Sequence, residues 1–174
     1  MTPDDPSPTK ASGRTAVCPG SYDPVTFGHL DVIRRAASLF DRVVVGVVRL
    51  PKHKSPAFDV AERIGFLRES LRDVDNVVVA GFSDLVVEFA REWGAVALVK
   101  GLRAVSDYEW EFQMGHLNKV LAPDIETVYL MSSPQYSFLS SSGVKEIAAF
   151  GGALEEFVPP AVARAFASRL AAEE

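Results

Sequence analysis

Residues 43 to 48 read Val-Val-Val-Gly-Val-Val, an unbroken apolar run bounded by charged residues at 41 and 42 and at 49. Strict in–out alternation would mark a strand with one wet face; a continuous β-branched run marks a strand covered on both. A strand covered on both faces needs helices above and below its sheet, so this short segment already selects an α/β layer architecture.

The rest of the chain agrees with that choice. Apolar strand-like runs at Thr15–Cys18, Val77–Ala80, Ala97–Val99 and Thr127–Leu130 alternate with amphipathic stretches. The helical stretches are expected from about Leu30 to Phe40, from Asp59 to about Leu71, and from Ser83, read as an N-cap, through Trp93 to the stop at Gly94. A further helix is expected from Ser106 to about Leu121, and two more from about Ser142 to Phe150 and from Pro159 to about Leu170. Asp59-x-x-Glu62 and Ser106-x-x-Glu109 have capping-box spacing. Strand–helix alternation at this spacing predicts βαβ units, five parallel strands and right-handed crossovers. Residues 15–174 then form one domain, and residues 1–14, polar and proline-rich without the apolar core of a signal peptide, are expected to be a disordered leader.

Open parallel sheets bind ligands beyond the carboxyl ends of their strands. The unusual residues of this chain gather there. Gly20-Ser-Tyr-Asp-Pro-Val-Thr-Phe-Gly-His29 follows the first strand and leads into a helix, Lys52 and Lys54 follow the second, and Gly81 to Asp84 the third. Lys100-Gly-Leu-Arg103 follows the fourth, and Ser132 to Ser142 the fifth. A helix start after a Gly/Pro-rich turn offers free N–H groups and the positive end of a dipole, which suits phosphate.

His29 would add a side-chain donor at that point, aimed at the α-phosphate of a nucleotide where negative charge grows during in-line attack. A lone histidine at a helix start is more often a cap or a packing group; the surrounding Gly20, Asp23, Pro24 and Gly28 favour the chemical role. Ser21 and the backbone of Tyr22 lie where phosphates and the attacking group could be held. Gly101 would let backbone approach closely, Arg103 can grip phosphate with two parallel bonds, and Lys100 acts as a point charge. Glu111 shares a helix face with Asp107, so either could accept from a ribose hydroxyl or pair with Arg103. Ser140, Ser141 and Ser142 at another helix start make a second anion cradle. His53 and His116 have no metal-ligand spacing and read as solvated or structural.

Composition limits the partners. A net charge of −5 on 174 residues opposes broad nucleic-acid binding, which needs a basic face, yet leaves room for a local cationic site. No apolar stretch approaches the roughly 20 residues of a membrane span, so no membrane association and a cytoplasmic location are expected. The single cysteine, Cys18, excludes an intrachain disulfide and reads as a buried small apolar group. Gly-x-x-x-x-Gly-Lys-Ser/Thr, Gly-x-Gly-x-x-Gly and Gly-x-Ser-x-Gly motifs are absent, which leaves His29 as the centre of any site.

Taken together, Gly20-Ser-Tyr-Asp-Pro with Thr26-Phe-Gly-His29, Lys100-Gly-Leu-Arg103, Asp107-Tyr-Glu-Trp-Glu111 and Ser137-Phe-Leu-Ser-Ser-Ser142 resemble the bacterial phosphopantetheine adenylyltransferase family. Thr-x-Gly-His indicates the wider nucleotidylyltransferase superfamily, while the second and third segments are more specific. The resemblance runs from about Thr15 to Leu170. It implies a Rossmann-like five-stranded parallel sheet with helices on both faces, of nucleotidylyltransferase type. It also implies transfer of the adenylyl group of ATP to 4′-phosphopantetheine, giving dephospho-coenzyme A and pyrophosphate, with Mg²⁺ brought by ATP and a homohexameric assembly.

Carried over by position, the resemblance makes His29, Lys54 and Arg103 catalytic. ATP falls to Ser21, Tyr22, His29, Gly101, Leu102, Arg103, Glu111 and the run Tyr136, Ser137, Phe138, Leu139, Ser140, Ser141 and Ser142. The phosphorylated acceptor falls to Ser21, Lys54, Val86 and Lys100. Position 100 is Lys where the family uses Lys or Arg, and the loop before Phe58 is one residue longer than the family's. Counting back from Phe58 selects Lys54; counting forward from Pro51 selects His53, with Lys52 beside it. A nucleotidylyltransferase for another phosphorylated acceptor, such as nicotinamide mononucleotide, and a non-catalytic nucleotide-binding module are the alternative readings.

Overall fold

The computed structural model describes residues 13–49, 56–103 and 105–173. Five parallel strands form one sheet in the order β3-β2-β1-β4-β5. They are β1 (Thr15–Gly20), β2 (Arg42–Val48), β3 (Val77–Phe82), β4 (Ala95–Leu102) and β5 (Glu126–Met131). The helices are α1 (Phe27–Leu39), α2 (Val60–Ser70), α3 (Val86–Glu92), α4 (Val105–Leu121), α5 (Ser141–Ala149) and α6 (Pro160–Glu173). A 3-10 turn covers Pro134–Tyr136.

The valine run is the middle of β2, and Val43, Val44, Val45 and Val47 are fully buried. Alternation along the strands divides the core. Ala16, Cys18, Val43 and Val45 meet Ile33 of α1, Leu67 of α2, Val144 of α5 and Val162 of α6. Val17 and Val44 face the other way and meet Val87, Phe89 and Ala90 of α3. Gly46 makes room for α3: a Cβ there would lie 2.8 Å from the Phe89 ring, which stacks on Phe82 with centroids 4.7 Å apart.

Helix starts separate the sequence signals that work from those that do not. Asp59 and Glu62 form the reciprocal capping box, with both bonds at 2.8 Å, as their spacing predicts. Helix α1 begins at Phe27 rather than near Leu30, because Thr26 is its N-cap and His29 takes the place that Glu fills in the usual box. Ser83 does not cap α3, which starts three residues later behind Leu85 with no side-chain cap. Ser106 lies inside α4 rather than ahead of it. Gly94 ends the α3 segment with φ +61°, in the left-handed conformation glycine adopts most readily. The expected leader, residues 1–14, falls almost wholly outside the described residues.

The order of strands places the site. The order in which strands are added reverses at β1: β2 and β3 lie on one side of it, β4 and β5 on the other. The crevice beyond the carboxyl ends of β1 and β4 is therefore the topological switch point, where open α/β sheets take their ligands.

Candidate functional site

Beyond that edge lies a cavity of about 560 Å³. Its first wall is the loop from β1 into α1. Gly20 has no room for a side chain, since a Cβ would sit 2.9 Å from the Tyr22 ring. Tyr22 holds φ +50°, a left-handed conformation unusual for a side-chain-bearing residue, and its hydroxyl donates to the Cys18 carbonyl at 2.9 Å. The carboxylate of Asp23, almost wholly buried, accepts from the N–H groups of Ala57 at 3.0 Å and Phe58 at 2.9 Å. Lys145 of α5 adds an ion pair to it at 3.1 Å. Asp23 is thus a structural tie between three segments and leaves the cavity to its neighbours.

At the start of α1, Thr26 Oγ1 accepts from the His29 N–H at 3.4 Å, and His29 Nδ1 accepts from the Thr26 backbone N–H at 3.0 Å. A ring nitrogen that accepts from an amide carries no proton, so the proton of the neutral ring is assigned to Nε2. Burial, and after it the charge of Arg103, pull the His29 pKa down to about 4. The imidazole is therefore neutral at physiological pH with Nε2–H as its donor, against the edge of the Tyr22 ring 5.2 Å away. The same box that starts the helix sets the tautomer.

The facing wall comes from β4, α4 and the segment after β5. Lys100 pairs with Glu111 at 3.2 Å, and Arg103 donates to the Leu139 carbonyl at 2.9 Å. Gly101 is needed for a reason the sequence does not display: a Cβ would lie 2.8 Å from Val32 Cγ2, so the absent side chain lets α1 settle against β4. Ser140 caps α5 through the Gly143 N–H at 3.0 Å, and Ser141 donates to the Pro24 carbonyl at 2.8 Å. Two of the three expected cradle hydroxyls thus hold protein groups, and Ser142 stays exposed.

Of the residues singled out from sequence, Ser21, Tyr22, His29, Lys100, Gly101, Arg103, Glu111, Leu139, Ser140, Ser141 and Ser142 all line this cavity. Leu102 is buried beside it without lining it. Tyr136 lines a neighbouring hollow with Arg34 and Asp73, Ser137 turns its hydroxyl to the Pro134 carbonyl at 2.9 Å, and Phe138 is 72% exposed. Val86 opens α3 on the same rim of the sheet and packs on the apolar cluster under it. Lys54 lies outside the described residues, as do Lys52 and His53. His116, expected to be solvated or structural, is exposed and packs edge-on against Phe112 with centroids 4.4 Å apart.

Sequence reading gave no role to Trp110 or Ser132, which also line the cavity, and missed Arg63, which supports it from below. Trp110 stood within a quoted segment with no role attached. Arg63 gave no signal beyond its position four residues after the capping Asp59. Among the described residues no group of three or more His, Cys, Asp or Glu side chains is placed to hold a metal ion, and no helix is long and apolar enough to cross a membrane.

Comparison with known proteins agrees with the layout. Residues 17–147 match the model of the cytidylyltransferase-like family. A phosphopantetheine adenylyltransferase of Caldanaerobacter subterraneus subsp. tengcongensis is 55% identical over 150 residues, covering 86% of this chain and 93% of the relative. One of Moorella thermoacetica is 53% identical over 156 residues, covering 90% and 97%. Among solved structures, a protein of Vibrio parahaemolyticus described as a nicotinate-nucleotide adenylyltransferase superposes with a TM-score of 0.64, covering 89% of this chain and 99% of its own. At 14% identity that likeness is one of fold.

Proposed function

The chain belongs to the phosphopantetheine adenylyltransferases, within the cytidylyltransferase-like family, and we propose how its cavity performs the transfer. The enzyme is a nucleotidyltransferase of coenzyme A biosynthesis: it moves the adenylyl group of ATP to 4′-phosphopantetheine and yields dephospho-coenzyme A and pyrophosphate.

In the proposed step an oxygen of the acceptor's phosphate attacks the α-phosphorus in line. A new P–O bond forms as the bond from the α-phosphorus to the bridging oxygen breaks, and the electron pair leaves with pyrophosphate. His29 Nε2–H donates to an α-phosphate oxygen, where charge accumulates. It acts as a fixed dipole and keeps its proton. Arg103 and Lys100 supply positive charge on the opposite wall. Ser21, the Tyr22 N–H and the free N–H groups at the starts of α1 and α5 supply neutral donors. The observation that carries this reading is the bond from the Thr26 N–H to His29 Nδ1, which commits the other ring nitrogen to donation.

Among the described residues Glu111 is the one carboxylate lining the cavity, and it is paired with Lys100, so these residues do not form a protein cage for Mg²⁺. A Mg²⁺ ion carried by the triphosphate and keeping several waters is compatible with that lining. Lys54 remains the proposed cation on the acceptor's phosphoryl group. A homohexamer in the cytoplasm completes the proposal; for assembly, the support is the apolar surface of Trp110, Phe112, Leu117, Val120 and Leu121 left exposed on α4.

The deciding experiment incubates the protein with ATP, Mg²⁺ and 4′-phosphopantetheine and measures pyrophosphate, with nicotinamide mononucleotide as the acceptor in a parallel arm. Pyrophosphate should form in the first arm and not in the second. Tight ATP binding with no pyrophosphate in either would replace the transferase by a binding module.

A further inference from the structure

We propose that Arg63 is a positioning residue for the transfer: from beneath the rim it fixes the plane of the Ser21–Tyr22 peptide, so that the Tyr22 N–H is presented to the phosphates of the nucleotide. The inference rests on the adenylyltransferase reading above and adds to it a residue remote from both substrates.

Arg63 sits in the first turn of α2 and is 2% exposed, the largest side chain buried so completely. A buried guanidinium is costly unless its N–H groups find acceptors, and here they find carbonyls. Nη1 donates to the Ser21 carbonyl at 2.6 Å and to the Val48 carbonyl at 3.1 Å, while Nε donates to Phe58 at 3.1 Å and Asp59 at 3.2 Å. One rigid fork thus joins the residue after β1, the last residue of β2 and the start of α2. A lysine could supply the charge there but not the fork.

The consequence follows from peptide geometry. A trans peptide is planar, with its C=O and N–H pointing in opposite directions. Holding the Ser21 oxygen toward Arg63 turns the Tyr22 N–H away from α2. Both Ser21 and Tyr22 line the cavity, and no acceptor among the described residues takes the Tyr22 N–H. The left-handed φ of +50° at Tyr22 needs restraint, and it has two: Arg63 on the carbonyl before it, and its own hydroxyl on the Cys18 carbonyl. An N–H with no acceptor among the described residues, held by a strained turn, is a preorganised anion donor.

The test compares ATP with adenosine in the full chain carrying Arg63→Lys. Loss of one charge-assisted bond should weaken ATP by roughly tenfold and leave adenosine nearly unchanged, because only ATP brings phosphates to the Tyr22 N–H. Asp59→Ala, which removes the cap of the same helix without touching Ser21, should lower Tm and leave the ratio of the two affinities alone. Equal weakening of both ligands, or unchanged ATP affinity in folded Arg63→Lys, overturns the proposal. The unmodified protein gives a second reading by NMR. Its Tyr22 amide and Ser21 carbonyl-carbon signals should shift together with ATP and not with adenosine, while the Arg63 Nε–H resists exchange. An unmoved Tyr22 amide or a freely exchanging Arg63 N–H overturns the proposal even where Arg63→Lys does not fold. Pyrophosphate release by the unmodified protein separates the two levels: turnover without the selective loss rejects Arg63 alone, and absent turnover rejects the reading beneath it.

Discussion

The wall of the cavity built from the β1–α1 loop is locked by buried polar side chains, whereas the wall facing it stands largely in solvent. Thr26, Arg63 and Asp23 are 1%, 2% and 4% exposed, and each is hydrogen-bonded to backbone. Across the cavity Trp110 is 65% exposed, Gly101 and Ser142 are open, and Lys100 and Arg103 reach in from half-buried positions. The difference separates two tasks. A donor that must meet developing charge gains from being fixed before substrate arrives, while cations that gather a highly charged nucleotide gain from long-range attraction and need less precise placement.

That contrast can be broken most severely at His29. In His29→Ala, kcat should fall about 100- to 1,000-fold, the range for loss of a single preorganised donor, with ATP binding only modestly weakened. Pyrophosphate release and calorimetric titration measure the two quantities, and wild-type turnover would remove His29 from the mechanism. The same residue makes a prediction in pH. Its folded pKa of about 4 lies below the unfolded value of ~6.5, so the unfolded chain binds the extra proton between them. This contribution to stability is complete above ~6.5 and is lost as pH falls from there toward 4. Denaturation at pH 7 and pH 5 should show wild type losing more than His29→Gln on acidification; equal losses would mean the imidazole is not held neutral.

Gly101→Ala tests the seam between the walls. The added methyl meets Val32, so stability should drop by about 1–3 kcal/mol in chemical denaturation, with kcat falling as α1 is displaced. An unchanged midpoint would show that α1 can give way. The smallest effect belongs to Ser83→Ala. With no cap bond at α3, its stability should stay within about 0.5 kcal/mol of wild type. A loss near 1 kcal/mol, typical of a removed N-cap, would restore the role its sequence position suggests.

The layers were legible because their signals are local and repeated. The β2 valines, the Asp59–Glu62 box and the stop at Gly94 each specify their own neighbourhood within a few residues. Five loops on one rim followed from parallel strands alone. What stayed hidden depends on distant partners or on backbone. Gly101 reads as room for a ligand until Val32, nearly seventy positions earlier, is seen against it. Arg63 works on carbonyl oxygens, which every residue has, so no pairing of side chains in the sequence points to it. Ser83 and Ser106 have the right chemistry for caps, but the chain enters α3 later and α4 earlier than those serines would dictate. His29 was legible as a donor; its tautomer required the bond to Thr26.

Cys18 lies on the floor of this cavity, and burial pushes its thiol up to about 12 even though the Lys100 charge pulls the other way. The acceptor, 4′-phosphopantetheine, itself ends in a free thiol. Disulfide exchange begins from a thiolate, and at neutral pH Cys18 supplies almost none. The chain's one sulfhydryl therefore cannot trap its own substrate or product as a mixed disulfide, and any cysteine introduced at an open position such as Phe138 would be the sole reactive handle for a probe.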